Sequence, residues 1–440
     1  MNNWFLFFIL IILYGVSYII HKRHFCASYI LILTMLIPVT TLVLLQSYIQ
    51  YELSLETIAV ITLLIVLFQI GEIIVSRRGI SIQKENARCN NLVIKKRYKY
   101  LPTLIQILNL IVVYRYLMQV GAQYGADNIL SAYAANRINT FELQTTGEAN
   151  VSPSFINIFM TTLASCIEII CLHIALVQKI IWKQKIDKWL ILPIILFFVS
   201  LLFESGRAPM VPVIVHFAYL YFLLSNLSLS LLLRRHFFKI VLFICAVGVF
   251  FIAAGSIRDQ SNIKDSSNIE VIDPLDAFAM YVGGPIVGLD IYVRKGLPEY
   301  PNMGEQLFKP FYDIMRKIGF KFERPRLHEE KFYLKKMETN VFTGFCYWIK
   351  DFSLIGAFIY SFVLGLIFGY IHLLEINKRI RLDNIIGRYY ISIFYWGLVM
   401  VFFNNALRNI LSIETFFKII ILFVLIKIMV KRKVPYGSSI

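Results

Sequence analysis

The chain has 440 residues, of which 58% are hydrophobic, and a formal net charge of +17. That apolar share exceeds the 45–50% of soluble domains and gathers in blocks long enough for a ~30 Å hydrocarbon core. It excludes a soluble enzyme, and the positive charge, which clusters in connecting loops, is explained without nucleic acid.

Eleven membrane helices are expected, near 3–20, 26–46, 57–75, 101–120, 155–178, 189–204, 208–227, 237–256, 352–373, 389–406 and 415–431. The first block, Trp4 to Ile20, has no positive leader and no small-residue cleavage site, so it reads as a membrane helix rather than a cleaved signal. The fold class is therefore an all-α polytopic bundle. It divides into helices 1–8 over 1–256, one large loop over 257–351, and helices 9–11 with a basic tail over 352–440.

Lys and Arg alternate between loops. His21 to His24, Arg77 to Arg97, Lys183 to Lys188, Arg234-Arg235, Lys378 to Arg388 and Lys431 to Lys433 form one basic set. The segment 46–56 has no Lys or Arg, and 121–154 has only Arg137. The positive-inside rule then places the N-terminus outside and the C-terminus inside, on the cytoplasmic face. Long loops translocate regardless of charge, so 257–351 falls outside.

Within that loop, Ala277 to Val293 is apolar but short and broken by Gly283-Gly284-Pro285 and Gly288. A re-entrant or bundle-packed segment is expected, covered by protein or a wet cavity. Glu305 to Phe320 places Phe308, Phe311, Tyr312, Met315 and Ile318 at helical spacing. It reads as an amphipathic helix lying on the membrane or capping the bundle. Six cysteines offer no disulfide pair, and there is no P-loop, no GxGxxG after a strand and no HExxH.

Ionisable groups at membrane helices mark functional candidates. Arg207, in the turn Glu204 to Pro209, and Arg258 each offer a guanidinium fork for a diphosphate, against local ion pairing. Arg137 is the lone cation of its loop. His328, in Glu323 to Lys331, has the pKa range of a general base. Asp290 and Asp351 are carboxylates that could take a hydroxyl proton, and Asp351 could equally cap a helix. Glu72 and Glu375 are expected to snorkel, and Arg115 to pair with Glu168.

The stretch Thr339-Asn340-Val341-Phe342-Thr343-Gly344, then Asp351-Phe352-Ser353-Leu354-Ile355-Gly356, then Ser361 to Gly369, resembles the N-x-[YF]-T … D-[FW]-G-x-x-G … G-L-x-x-G pattern of the Wzy-type oligosaccharide repeat-unit polymerases of O-antigen and capsule assembly. Ser205-Gly206-Arg207 and Tyr281 to Pro285 are similar to further short patches of that family. Ser353 stands where the pattern has glycine, and the spaced Arg–Gly repeats of some members are not seen around Arg137 or Arg258.

The resemblance implies a fold like the C-type membrane glycosyltransferases and the O-antigen ligase. It implies transfer of a growing glycan from undecaprenyl diphosphate to the non-reducing end of a new lipid-linked repeat unit on the periplasmic face. The expected enzyme is inverting and uses no cofactor and no metal. Arg207, Arg258 and Arg137 would hold diphosphate, and His328, Asp290 or Asp351 would act as base. Tyr281, Gly284, Asn340, Thr343 and Tyr347, with Trp348 beside them, would meet sugar. Membrane lipids, the lipid-linked oligosaccharides and a chain-length regulator protein are the expected partners. A ligase and a lipid-linked oligosaccharide flippase are the competing functions.

Overall fold

The computed structural model describes residues 1–21, 26–76, 91–145, 151–204, 210–225, 275, 278–296, 299–323, 332–334, 337–339, 341–376 and 381–433. The architecture is all-α and membrane-embedded. Among the described residues, seven helices are long and apolar enough to cross a membrane: Asn2–His21, Ala27–Leu44, Leu55–Ser76, Lys96–Gln123, Phe155–Ile181, Gly344–Glu375 and Ile385–Phe402. Lys188–Phe203 and Met210–Ser225 are shorter apolar helices. The helix expected over 237–256 lies outside the described residues.

In chain order the elements are α1 (Asn2–His21), α2 (Ala27–Leu44), α3 (Gln46–Ile49), α4 (Leu55–Ser76), β1 (Asn91–Ile94), α5 (Leu101–Gln123), α6 (Ile129–Thr145), α7 (Phe155–Leu176), α8 (Lys188–Phe203) and α9 (Met210–Ser225). Then come α10 (Gly284–Lys295), α11 (Lys309–Lys317), a β2–β3 hairpin (Phe332–Leu334, Met337–Thr339), α12 (Gly344–Ile376), α13 (Ile385–Val399), α14 (Ile413–Met429) and β4 (Val430–Lys433). Helix starts are set by polar loop residues. Ser154, Asp187, Asn384 and Ser412 each accept the N–H two or three residues on, from Asn157, Trp189, Gly387 and Thr415.

The spine of the bundle is α4 against α12. A Cβ on Gly365 would lie 2.1 Å from the Phe68 carbonyl, on Gly71 2.3 Å from that of Phe362, and on Gly369 2.6 Å from that of Glu72. Ser361, four residues before Gly365, donates to the Leu64 carbonyl at 2.7 Å. Ser361, Gly365 and Gly369 thus form a small-xxx-small stripe. In lipid, where apolar burial drives little helix association, such stripes let backbones touch and gain dispersion energy.

Side-chain contacts sort the helix ends onto two faces. On the first, Asn2 and Asn3 donate to the carbonyls of Leu53 and Tyr51 at 2.9 and 2.7 Å, tying the start of α1 to the α2–α4 connection. On the second, β1 pairs antiparallel with β4, joining the approach to α5 to the end of α14. Lys99 meets Asp187 at 3.6 Å there, and the His173 ring contacts the Leu382 carbonyl at 2.8 Å. The described parts of the Lys/Arg-rich connections therefore meet at one end of the molecule.

Three expectations are corrected. Residues 121–154 are more than a loop, because α6 fills them and packs on α5, where a Cβ on Gly121 would meet the Ala132 Cβ at 2.5 Å. The helix expected over 389–406 is regular only to Val399 and then tightens into a 3₁₀ turn, Met400–Phe402. Arg115 is exposed while Glu168 is 1% exposed, and they form no ion pair.

Candidate functional site

The first face carries most of the described residues singled out from the sequence. The segment Ala279–Gly283 forms one π-helical turn leading into α10, and a Cβ on Gly283 would touch Leu42, Thr41 and Ile49 of the α2–α3 corner. Tyr281 is half-buried and Gly284 buried. This short apolar piece packs on the bundle at one end, in keeping with the bundle-packed reading.

Asp290 has no exposed side-chain surface. It accepts the Tyr51 hydroxyl at 2.6 Å, the Ser54 N–H at 2.8 Å and the Ser54 hydroxyl at 2.7 Å, and Arg294 Nε lies 3.2 Å away. Burial pushes its pKa up, but the hydrogen bonds from Tyr51, Ser54 and Thr57 outweigh it and hold the carboxyl below its ordinary value. Ser54 accepts the Thr57 N–H at 3.2 Å and so caps α4. Asp290 therefore fixes that cap to α10. Its lone pairs are committed, which leaves little room for an incoming hydroxyl.

Asp351 plays a related part. It is 3% exposed and accepts the N–H groups of Gln306 and Leu307 at 2.9 and 3.1 Å, while its carbonyl accepts the Gly304 N–H at 2.8 Å. It caps a turn ahead of α11 rather than the helix that contains it. Glu72 does the same at the second face. Both its oxygens accept from the first residues of α2, Ala27 N–H at 2.7 Å and Ser28 N–H at 3.0 Å. Glu375, expected to snorkel like Glu72, instead accepts the Tyr219 hydroxyl at 2.6 Å and faces Arg388 at 3.4 Å. A carboxylate inside a membrane protein is stabilised by such donors because solvent is absent.

Two residues after Asp351 the chain does something unusual. Ser353 has φ 63° and ψ 175°, a region essentially reserved for glycine, inside what is otherwise one long helix. The kink separates a buried turn over 344–352 from the long apolar run that follows. Phe352 stacks on Tyr360 at 5.0 Å, and Gly304, at φ 69°, fits against Phe352 and Phe308. Lys350, 5% exposed, sets its ammonium 4.9, 5.3 and 5.7 Å from the rings of Phe342, Tyr292 and Tyr300. This cation–π cage ties the start of α12 to α10.

Beside the kink lies a group that sequence reading passed over. Arg408, in the 3₁₀ segment Ala406–Leu411, is exposed and donates from Nη1 to Gln306 Oε1 at 3.2 Å. Gln306 is 1% exposed, and its Nε2 finds no acceptor. Asn405 is 5% exposed, and both of its amide atoms lack partners, as does Asn404 Oδ1. Asn404 abuts the start of α12, where a Cβ on Gly344 would lie 3.0 Å from its carbonyl. A buried amide group without a partner costs ~1–3 kcal/mol. Beside an anchored guanidinium, the donors Gln306 Nε2 and Asn405 Nδ2 suit the phosphoryl oxygens of an anionic ligand, and the acceptors Asn404 Oδ1 and Asn405 Oδ1 suit its hydroxyl groups.

Thr343 is buried and accepts the Cys346 N–H at 3.3 Å, so it caps α12 at the edge of this region. Tyr347 is half-buried. Trp348 is fully buried, edge-on to Phe345 and Tyr360, and cannot stack on a sugar as expected. Arg207, Arg258, His328 and Asn340 lie outside the described residues, and so does the side chain of Arg137, which sits on α6. The signal for Arg408 was available in Asn404-Asn405-Ala406-Leu407-Arg408-Asn409, four polar residues in six. It was masked by drawing a membrane helix through Ala406.

Comparison with models of known families, with characterised proteins and with solved structures finds no match.

Proposed function

We propose that the protein is an oligosaccharide repeat-unit polymerase that works at the first face, on the periplasmic side of a bacterial inner membrane. The observation that carries this reading is Arg408, anchored by Gln306 among partnerless buried amides at the Asp351–Ser353 kink. The sequence pattern over Thr339 to Gly369 gives the reaction class.

In the proposed reaction a hydroxyl at the non-reducing end of a new lipid-linked unit attacks the anomeric carbon of the growing chain. The bond from that carbon to undecaprenyl diphosphate breaks, the hydroxyl proton passes to a base, and the diphosphate leaves as an anion. Arg408 would hold its developing charge, with Arg207 and Arg258 as further candidates. Preorganised donors of this kind contribute ~3–4 kcal/mol each. The commitments of Asp290 and Asp351 to caps favour His328 as the base. A chain-length regulator would dock from outside the chain.

Deleting the gene and running the surface polysaccharide on a gel tests this. A polymerase leaves a single repeat unit in place of a ladder. Loss of even that unit, with glycan retained on the carrier lipid, points to a ligase or flippase. A transport reading has one observation of its own, the buried Arg388–Glu375–Tyr219 cluster at the second face, with Arg388 1% exposed.

A further inference from the structure

At the second face, remote from the proposed reaction, three side chains from different elements converge. His21 ends α1, Cys26 precedes α2, and Glu72 lies near the end of α4. All three are buried, and one ligand atom from each lies within 4.8 Å of the others. Glu72 is 18 residues along α4 from Ser54, or ~27 Å at 1.5 Å per residue.

We propose that His21, Cys26 and Glu72 bind a borderline-soft divalent transition-metal ion of the zinc type. An imidazole nitrogen, a thiolate sulfur and a carboxylate oxygen are the donors such an ion accepts, at 2.0–2.3 Å in tetrahedral sites. Tetrahedral donors at those bond lengths stand roughly 3.3–3.8 Å apart, so donors within 4.8 Å of one another need only a small closing movement. His372 of α12 is 4% exposed, and its ring centroid lies 5.8 Å from that of His21, edge-on, so it packs against the ligand ring.

Glu72 keeps its cap on α2, because a carboxylate has about four lone-pair sites, of which the N–H groups of Ala27 and Ser28 and the Ser28 hydroxyl use three and leave one for the ion. Ser28 donates its hydroxyl to Glu72 and lies 3.3 Å from Cys26 Sγ, as a supporting group around the ligands. On binding, the thiol proton passes to solvent and the sulfur–metal bond forms, so affinity rises with pH. The ion would staple the α1–α2 corner to the α4–α12 spine, a structural role independent of the glycan reaction.

The test uses the full-length protein purified in detergent. Zinc content is measured after gel filtration, and Co²⁺ loading is followed by the thiolate-to-cobalt charge-transfer band in the near ultraviolet. About one ion per chain is expected, together with that band. The band should persist in a chain keeping Cys26 as its sole cysteine and vanish in Cys26→Ser. His21→Ala should weaken zinc binding at least tenfold. Absence of the band from the wild-type protein, or its survival in Cys26→Ser, overturns the proposal. Should Cys26→Ser fail to elute as a single species, the sole-cysteine chain decides: without the band, the proposal falls.

Discussion

Ser353 shows most directly how a residue choice and a backbone demand can conflict. Its φ of 63° with ψ of 175° costs a side-chain-bearing residue ~1–3 kcal/mol. Glycine is the residue that this backbone conformation favours. Ser353→Gly should stabilise the detergent-solubilised protein by about 1 kcal/mol, read as a rise in melting temperature. Asp290 makes the opposite case. Removing it in Asp290→Ala strands the donors of Tyr51 and Ser54 and should cost roughly 3 kcal/mol. Its folded-state pKa lies below the unfolded value, so its contribution is complete above about pH 4 and is lost as pH falls through the folded value. An acid titration of thermal stability should therefore fall more steeply for wild type than for Asp290→Asn below that pH. At this scale the sequence draws attention to these carboxylates but not to their capping contacts. Glu72, Asp290 and Asp351 stood out because ionisable groups are rare in apolar helices. That they cap distant helix starts depends on contacts across 44 to 236 residues, which no local pattern encodes.

Among elements, apolar blocks were legible because a hydrocarbon core imposes length and hydropathy together. Ten of the expected spans coincide with described helices within a few residues, apart from the ends of the spans near 352–373 and 389–406. Those two errors lie close together. The 3₁₀ segments after Val399 are apolar enough to pass for membrane helix, whereas the buried helical turn over 344–352 lies before the expected start at 352, and both fold around the first face. α6 was missed because its polar and apolar residues mix without a strong stripe. The closeness of α4 and α12 was legible only as glycines. Gly365→Leu, forcing a side chain into the Phe68 carbonyl 2.1 Å from the Cβ position, should separate the helices and lower stability by ~3 kcal/mol or prevent accumulation in the membrane. Gly125 on the α5–α6 turn has open space around its Cβ position, so a substitution there meets no such crowding. α11 leaves Phe311, Ile314 and Ile318 exposed on one side while Arg316 pairs with Glu305. Against the two expected placements, that uncovered apolar side favours a helix lying at the membrane surface.

For the whole molecule, alternation of basic and neutral loops translates into two distinct ends, because β1 pairs with β4 and the start of α1 binds the α2–α4 connection. The expectation that the basic end faces the cytoplasm is open to a direct labelling test. An impermeant thiol reagent added to cells whose outer membrane has been permeabilised should label Glu52→Cys and spare Asp187→Cys, with the reverse pattern marking an inverted chain. Function was the least legible layer, since its clearest described cation, Arg408, gains meaning only through Gln306, 102 residues earlier. In the proposed function this end of the bundle polymerises lipid-linked glycan. Purified protein in liposomes, given undecaprenyl-diphosphate-linked repeat unit, should then build a ladder of longer lipid-linked products with release of undecaprenyl diphosphate, slowed roughly 10²-fold or more in Arg408→Ala at equal protein. Wild-type protein that leaves the substrate as single units, or an Arg408→Ala variant that builds the ladder at the wild-type rate, would contradict it.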